Sequence, residues 1–133
     1  MSRWLLVAAV LCACGRSDDK AKPGMFGAAD ITPRDVVVDA WKKAGLTLSP
    51  MTPAAVAFAK DCQSGTVGAV DVLVCLFPSA AEAKAAEDPG LGWVGDTTGA
   101  SQAHGGLLIV AADRRKSDPS GRTINQMMKL APK

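Results

Sequence analysis

The chain has 133 residues, room for one small domain built on one core, and 48% of it is apolar. Aromatic residues make up 5% and tyrosine is absent, which argues against an aromatic-rich binding surface and leaves most of the packing to small aliphatic side chains. The formal charge of +2 gives no general attraction to nucleic acid or acidic lipid, so no nucleic-acid partner is expected.

Met1 to Arg3 form a short positive start, and Trp4 to Ala13 are apolar without interruption. This is the pattern of a signal sequence. As a helix the run would rise about 15 Å, half of a hydrocarbon core of about 30 Å, so it is too short to serve as a spanning anchor. It closes on Leu11-Cys12-Ala13-Cys14: an aliphatic residue, a tolerant position, a small residue and a cysteine.

These residues resemble the lipobox of bacterial lipoproteins, over roughly the first 15 positions. Cys12 departs from the serine, alanine or threonine that is commoner there. The resemblance implies that the Cys14 thiol takes a diacylglyceryl group, that the leader is cut after Ala13, and that the new amine is acylated. A thiolate is the one side chain nucleophilic enough for selective alkylation. Two or three acyl chains hold a protein at a membrane where one does so marginally, at about 0.8 kcal/mol per buried methylene. The alternative is an ordinary secretory leader cut nearby, for instance after Gly15. Glycine rather than aspartate at position 15 points to outer-membrane sorting, on the periplasmic or the surface face, over inner-membrane retention. The expected organisation is therefore a signal peptide over 1–13, a lipidated cysteine and polar tether over 14–30, and one exported domain over 31–133.

After export, Cys62 and Cys75 remain as candidate partners in an oxidising compartment. Residues 61–77 read as two strands around Gly68-Ala69, and glycine in the first turn position suits a type II′ turn. Val67 then faces Val70, and counting outward sets Cys62 opposite Cys75 at a non-hydrogen-bonded pair, where side chains approach most closely. A bridge there closes a loop of about 14 residues, worth about 3 kcal/mol in the chain-entropy account. A zinc site would need more ligands than the single histidine, His104, helps to supply, and a redox dithiol commonly has two intervening residues.

Along the domain, Thr32-Pro33-Arg34-Asp35 opens a helix with a cap, a first-turn proline and a capping-box acid, and Gly45 stops it. Leu46 to Leu48 are expected to start the sheet. Residues 53–60 read equally as a helix start or as a strand. Ser79-Ala80-Ala81-Glu82 signals a second capping box before an alanine-rich helix that Pro89-Gly90 is expected to end. Residues 97–103 and 106–112 read as a hairpin around His104-Gly105, with Leu107 to Val110 on a central strand. Ile124, Met127, Met128 and Ala131 mark the apolar face of a last helix. The order points to the α+β class: a small two-layer sandwich with an antiparallel sheet of about four to five strands and about three helices, on one side.

Gly90-Leu91-Gly92-Trp93-Val94-Gly95 spells G-x-G-x-x-G, but a dinucleotide site would follow a strand and open a helix, so the run is expected to be a loop with Trp93 over the sheet edge. The Arg114-Arg115-Lys116 cluster reads as a solvated turn, with a lipid-headgroup or polyanion contact as the functional counterpart. Neither calcium nor any other metal or cofactor is expected. The functional expectation is a non-enzymatic, lipid-anchored module whose partners are the membrane, through Cys14, and an envelope protein or small ligand. Its rival is a small envelope enzyme or enzyme-accessory domain using His104 with Asp96 or Asp113.

Overall fold

A computed structural model of the chain describes residues 31–132. In chain order these form α1 (Pro33–Lys43), β1 (Thr52–Val56), β2 (Ala59–Val67), β3 (Val70–Leu76), α2 (Ala80–Ala85), α3 (Glu87–Val94), β4 (Gly99–His104), β5 (Leu107–Ala112) and α4 (Arg122–Leu130). The strands make one five-stranded antiparallel sheet in the order β1-β2-β3-β5-β4. The α+β class and the antiparallel sheet are as expected. The strand over 107–112 is interior, paired with β3 on one side and β4 on the other.

The helices differ from expectation in placement, because the apolar content of β3 and β5 has no polar face to give to solvent. All six residues of β5 are buried, as are Val72, Leu73, Val74 and Cys75 of β3. Alternate side chains point to opposite faces, so each face needs its own cover. Val37 and Trp41 of α1 and Ile124, Met127 and Met128 of α4 pack on Val67, Val70, Val72, Val74, Leu107, Ile109 and Ala111. On the opposite face, Ala86 and Val94 meet Leu73, Cys75, Leu108, Val110 and Ala112. The sheet thus lies between two helical layers, where the sequence suggested helices on one side only.

The α1 cap forms as read. Thr32 Oγ1 accepts the Asp35 amide, and the Asp35 carboxylate accepts the Thr32 amide at 3.0 Å. These bonds hold the Asp35 carboxyl below its usual range. At the other end of the helix, the Trp41 indole Nε1 donates to the Met127 carbonyl of α4 at 2.9 Å, joining two helices distant in sequence. Leu48 makes a single bridge to Val67 in place of a full strand. Residues 53–60 resolve as the body of β1, a tight turn and the start of β2.

The β2–β3 hairpin keeps the expected register throughout, from Val67↔Val70 to Cys62↔Cys75. Gly68 takes φ +61° while Ala69 keeps a negative φ, as a type II′ turn requires. The Cys62–Cys75 disulfide is formed, with a Cα–Cα distance of 4.0 Å.

Pro89-Gly90 does not end the alanine-rich helix. The break falls at Ala86, and α3 restarts with Pro89 in its first turn, where an amide has no intrahelical acceptor to lose. The glycine run 90–95 is consequently helix α3 with its C-cap, not a loop. Gly90 lets α3 approach the sheet, since a Cβ there would overlap Ser101 Oγ. Ser79 caps α2, accepting the Glu82 amide and bonding the Glu82 carboxylate through its hydroxyl.

Two outcomes check this packing. Replacing Cys62 and Cys75 with serine is expected to lower the unfolding free energy by about 3 kcal/mol in urea titrations, and an unchanged midpoint would show that the bridge constrains nothing. Gly99→Ala would drive a Cβ into the Ala111 carbonyl and Val94 Cγ1, and should cost about 1–3 kcal/mol in the same assay.

Candidate functional site

Cys14, the expected lipidation position, lies with the leader and tether outside the described residues. Among the described residues, no helix is long and apolar enough to cross a membrane. Cys62 and Cys75 are buried in the sheet, where their bridge ties β2 to β3.

His104 is the last residue of β4, and the turn is Gly105-Gly106 rather than His104-Gly105. Its pairing with Leu107 puts it on the α1/α4 face of the sheet. Nε2 is buried and has no hydrogen-bond partner among the described residues. Burial holds the ring's pKa below the usual histidine value, against the opposing pull of the Glu87 charge and the Pro132 carbonyl. The aspartates proposed as its catalytic partners are not near it. Asp113 donates its amide to the Thr98 carbonyl at the other end of the β4–β5 pair, and Asp96 lies beyond Thr98 at that same end. The acid that does adjoin His104 is Glu87, whose Oε2 accepts the Ala103 amide at 2.8 Å. That bond, followed by pairing with Lys84, keeps the Glu87 carboxyl below its usual range.

Asp113 is buried and fully employed. It accepts from the Ser117 amide and hydroxyl at 2.8 and 3.2 Å and from the Asp118 amide at 2.7 Å. Burial alone would push its carboxyl up, but these bonds outweigh it and hold the group below its ordinary value. Asp118 in turn accepts the Thr123 and Ile124 amides, doing for α4 the work that its N-cap, Gly121, has no side chain to do.

The arginine cluster sits in a turn, as expected, but its guanidinium groups are engaged within the domain. Arg114 bonds Asp71 Oδ2 at 3.3 Å and the Trp93 carbonyl, and stacks over the Trp93 ring at 4.2 Å. Arg115 bonds Asp71 Oδ1 and the Ala69 carbonyl, both at 2.9 Å. A headgroup or polyanion contact would have to compete with these bonds.

This clamp borders a cleft of about 380 Å³ lined by Ser49, Thr52, Ser64, Thr66, Asp71, Trp93 and Arg114, among others. The register sets Thr52 opposite Ser64 and Thr66 opposite Asp71, so their side chains share one face of the sheet. On that face α2 and α3 lie over β4 and β5, leaving the β1–β2 part open. Hydroxyls, a carboxylate, a half-exposed guanidinium and an indole converge there, a set suited to holding a polar ligand by hydrogen bonds and ring contact. Sequence reasoning found Trp93 and Arg114 singly, but nothing local ties either to Asp71. No protein family, curated protein or solved structure matches the chain.

The depressed His104 pKa has a definite sign in stability. The unfolded chain takes up the proton more readily than the folded one, so the contribution is complete above the unfolded value of 6.5 and is lost as pH falls toward the lower folded value. Thermal midpoints should therefore fall between pH 7.5 and pH 5.5 in the native protein. In a His104→Asn variant they should stay level over that window.

Proposed function

We propose that the protein is a lipid-anchored domain of the bacterial envelope that acts by binding rather than catalysis, tethered through lipid on Cys14 to the outer membrane. The observation that carries this reading is the buried Cys62–Cys75 bridge, a bond that persists in oxidising compartments and is rare where cellular thiols keep cysteines reduced. It agrees with the export signal that residues 1–14 resemble. The cleft beside Trp93 and Arg114 supports the binding half of the reading, since it offers hydrogen-bonding groups and an aromatic wall to a small polar ligand or a segment of an envelope protein.

Mass spectrometry of the mature N-terminus tests the anchor. The expected product begins at Cys14 and carries the mass of a diacylglyceryl group and an amide-linked acyl chain. Cys14→Ser should leave an unprocessed or soluble protein. A native product beginning at residue 16 without lipid would refute the anchor and favour ordinary secretion. For the binding role, a photocrosslinker at Thr52 or Ser64 in intact cells should capture one recurrent species. Arg114→Ala should weaken that capture.

A further inference from the structure

The Cys14 reading fixes one point of attachment, and the fold says which end of the domain that attachment reaches. Arg34, in the first turn of α1, is buried and donates both terminal guanidinium nitrogens to Asp61 Oδ1 at 3.1 and 2.8 Å. The start of the domain is therefore pinned beside the first residues of β2. Phe77, just past β3, donates its amide to the Gly106 carbonyl, so the β1–β2 turn, the end of β3 and the β4–β5 turn share this pole. The Gly68 turn lies at the opposite pole, about 20 Å along β2 from Asp61 at the rise of an antiparallel strand, with the Asp71–Arg114–Trp93 clamp at that end and the cleft running from it toward the middle of the sheet.

At the Arg34 pole is an apolar cavity of about 430 Å³ lined by Phe58, Ala59, Leu76, Phe77 and Pro78, with Lys60, Asp61 and Glu82 at its rim. Phe58 and Phe77 are half-buried and Pro78 is exposed. Of the rim charges, Asp61 pairs with Arg34, while Glu82 accepts from the Ser79 hydroxyl at 3.2 Å and has no ion pair among the described residues. Lys60 is exposed and makes no ion pair among the described residues.

We propose that this pole is the membrane-facing surface of the domain, with Phe58, Phe77 and Pro78 entering the interfacial layer of the bilayer and Lys60 meeting lipid phosphates. The inference rests on lipidation of Cys14. The stretch between Cys14 and Thr32 spans at most about 65 Å, and it joins the domain at this pole. A tether of this length raises the effective concentration of lipid at the domain, so a contact too weak to recruit a free protein suffices to orient a tethered one. Aromatic rings beside one cation match the interfacial layer, which takes apolar side chains below its phosphates and basic groups among them. The polar cleft then opens along the side of the domain, on the sheet face that α2 and α3 leave uncovered, accessible to other envelope components.

The test uses the mature lipoprotein, purified in detergent and reconstituted into phosphatidylethanolamine–phosphatidylglycerol vesicles containing lipids brominated on their acyl chains. Trp41 and Trp93 serve as internal controls in the native protein, one buried under α4 and the other at the far pole. In the Phe58→Trp variant the new indole should lose roughly half of its emission, because side chains at such a surface lie about 5–10 Å inside the headgroup boundary. The native emission should change little. Pro78→Trp, at an exposed position, gives the same readout if Phe58→Trp fails to fold. Lys60→Glu in either background should reduce the quenching. If the protein floats with the vesicles but neither new tryptophan is quenched more than the native pair, the docking surface is refuted and the anchor stands. Quenching of the native pair as strongly as the new indole, or capture of a protein by a crosslinker at position 58 without lipid contact, also refutes it. If the protein does not float and Cys14 carries no lipid, the anchor fails and the inference fails with it.

Discussion

Two strands of this domain have no side that tolerates water, and most of the architecture answers that demand. Along β3 and β5, Val72, Val74, Ile109 and Ala111 look one way while Leu73, Cys75, Leu108 and Val110 look the other, and all are buried. One helical layer would leave half of this surface wet, at about 25 cal/mol for each Å² of apolar area left exposed. The chain therefore supplies α1 and α4 to one face and α2 and α3 to the other. The Trp41–Met127 hydrogen bond fixes the first of these layers by satisfying an indole donor at a position with no access to solvent.

Features set by neighbouring residues were legible in the sequence, and features set by distant ones were not. The α1 cap needs Thr32, Pro33 and Asp35, and the hairpin register follows from Gly68 and a period of two; both can be read directly. Pro89 misled because its meaning depends on whether a helix continues or begins there, and Ala86 makes it a beginning. The division of helices between faces depends on how β3 and β5 pair, which no local pattern states. Within the candidate site, Arg114 and Trp93 were visible as residue types, but Arg114 joins Trp93, 21 residues away, to Asp71, 43 residues away. The distance between His104 and Asp113 was hidden for the same reason: Asp113 is close in the hairpin's sequence but belongs to its far end.

The buried polar groups show the same economy. Asp113 and Asp118 pass hydrogen bonds from the end of β5 to the start of α4, so one continuous chain of acceptors turns the backbone through the loop. Arg34 and Asp61 do the corresponding work at the other pole, fixing the start of α1 to β2. Side chains committed in this way hold the loops in place, and the cleft inherits its shape from them.

The two outer strands show how the sheet ends. Pro53 removes an amide from β1, whose pairing shifts between Ala54 and Val56, and Glu87 places a carboxylate on the Ala103 amide of β4. Each device withdraws a donor that another chain could otherwise recruit. A rim with fewer free donors is a poorer template for growth into filaments, so these few atoms bear on how the protein associates as well as on how it folds.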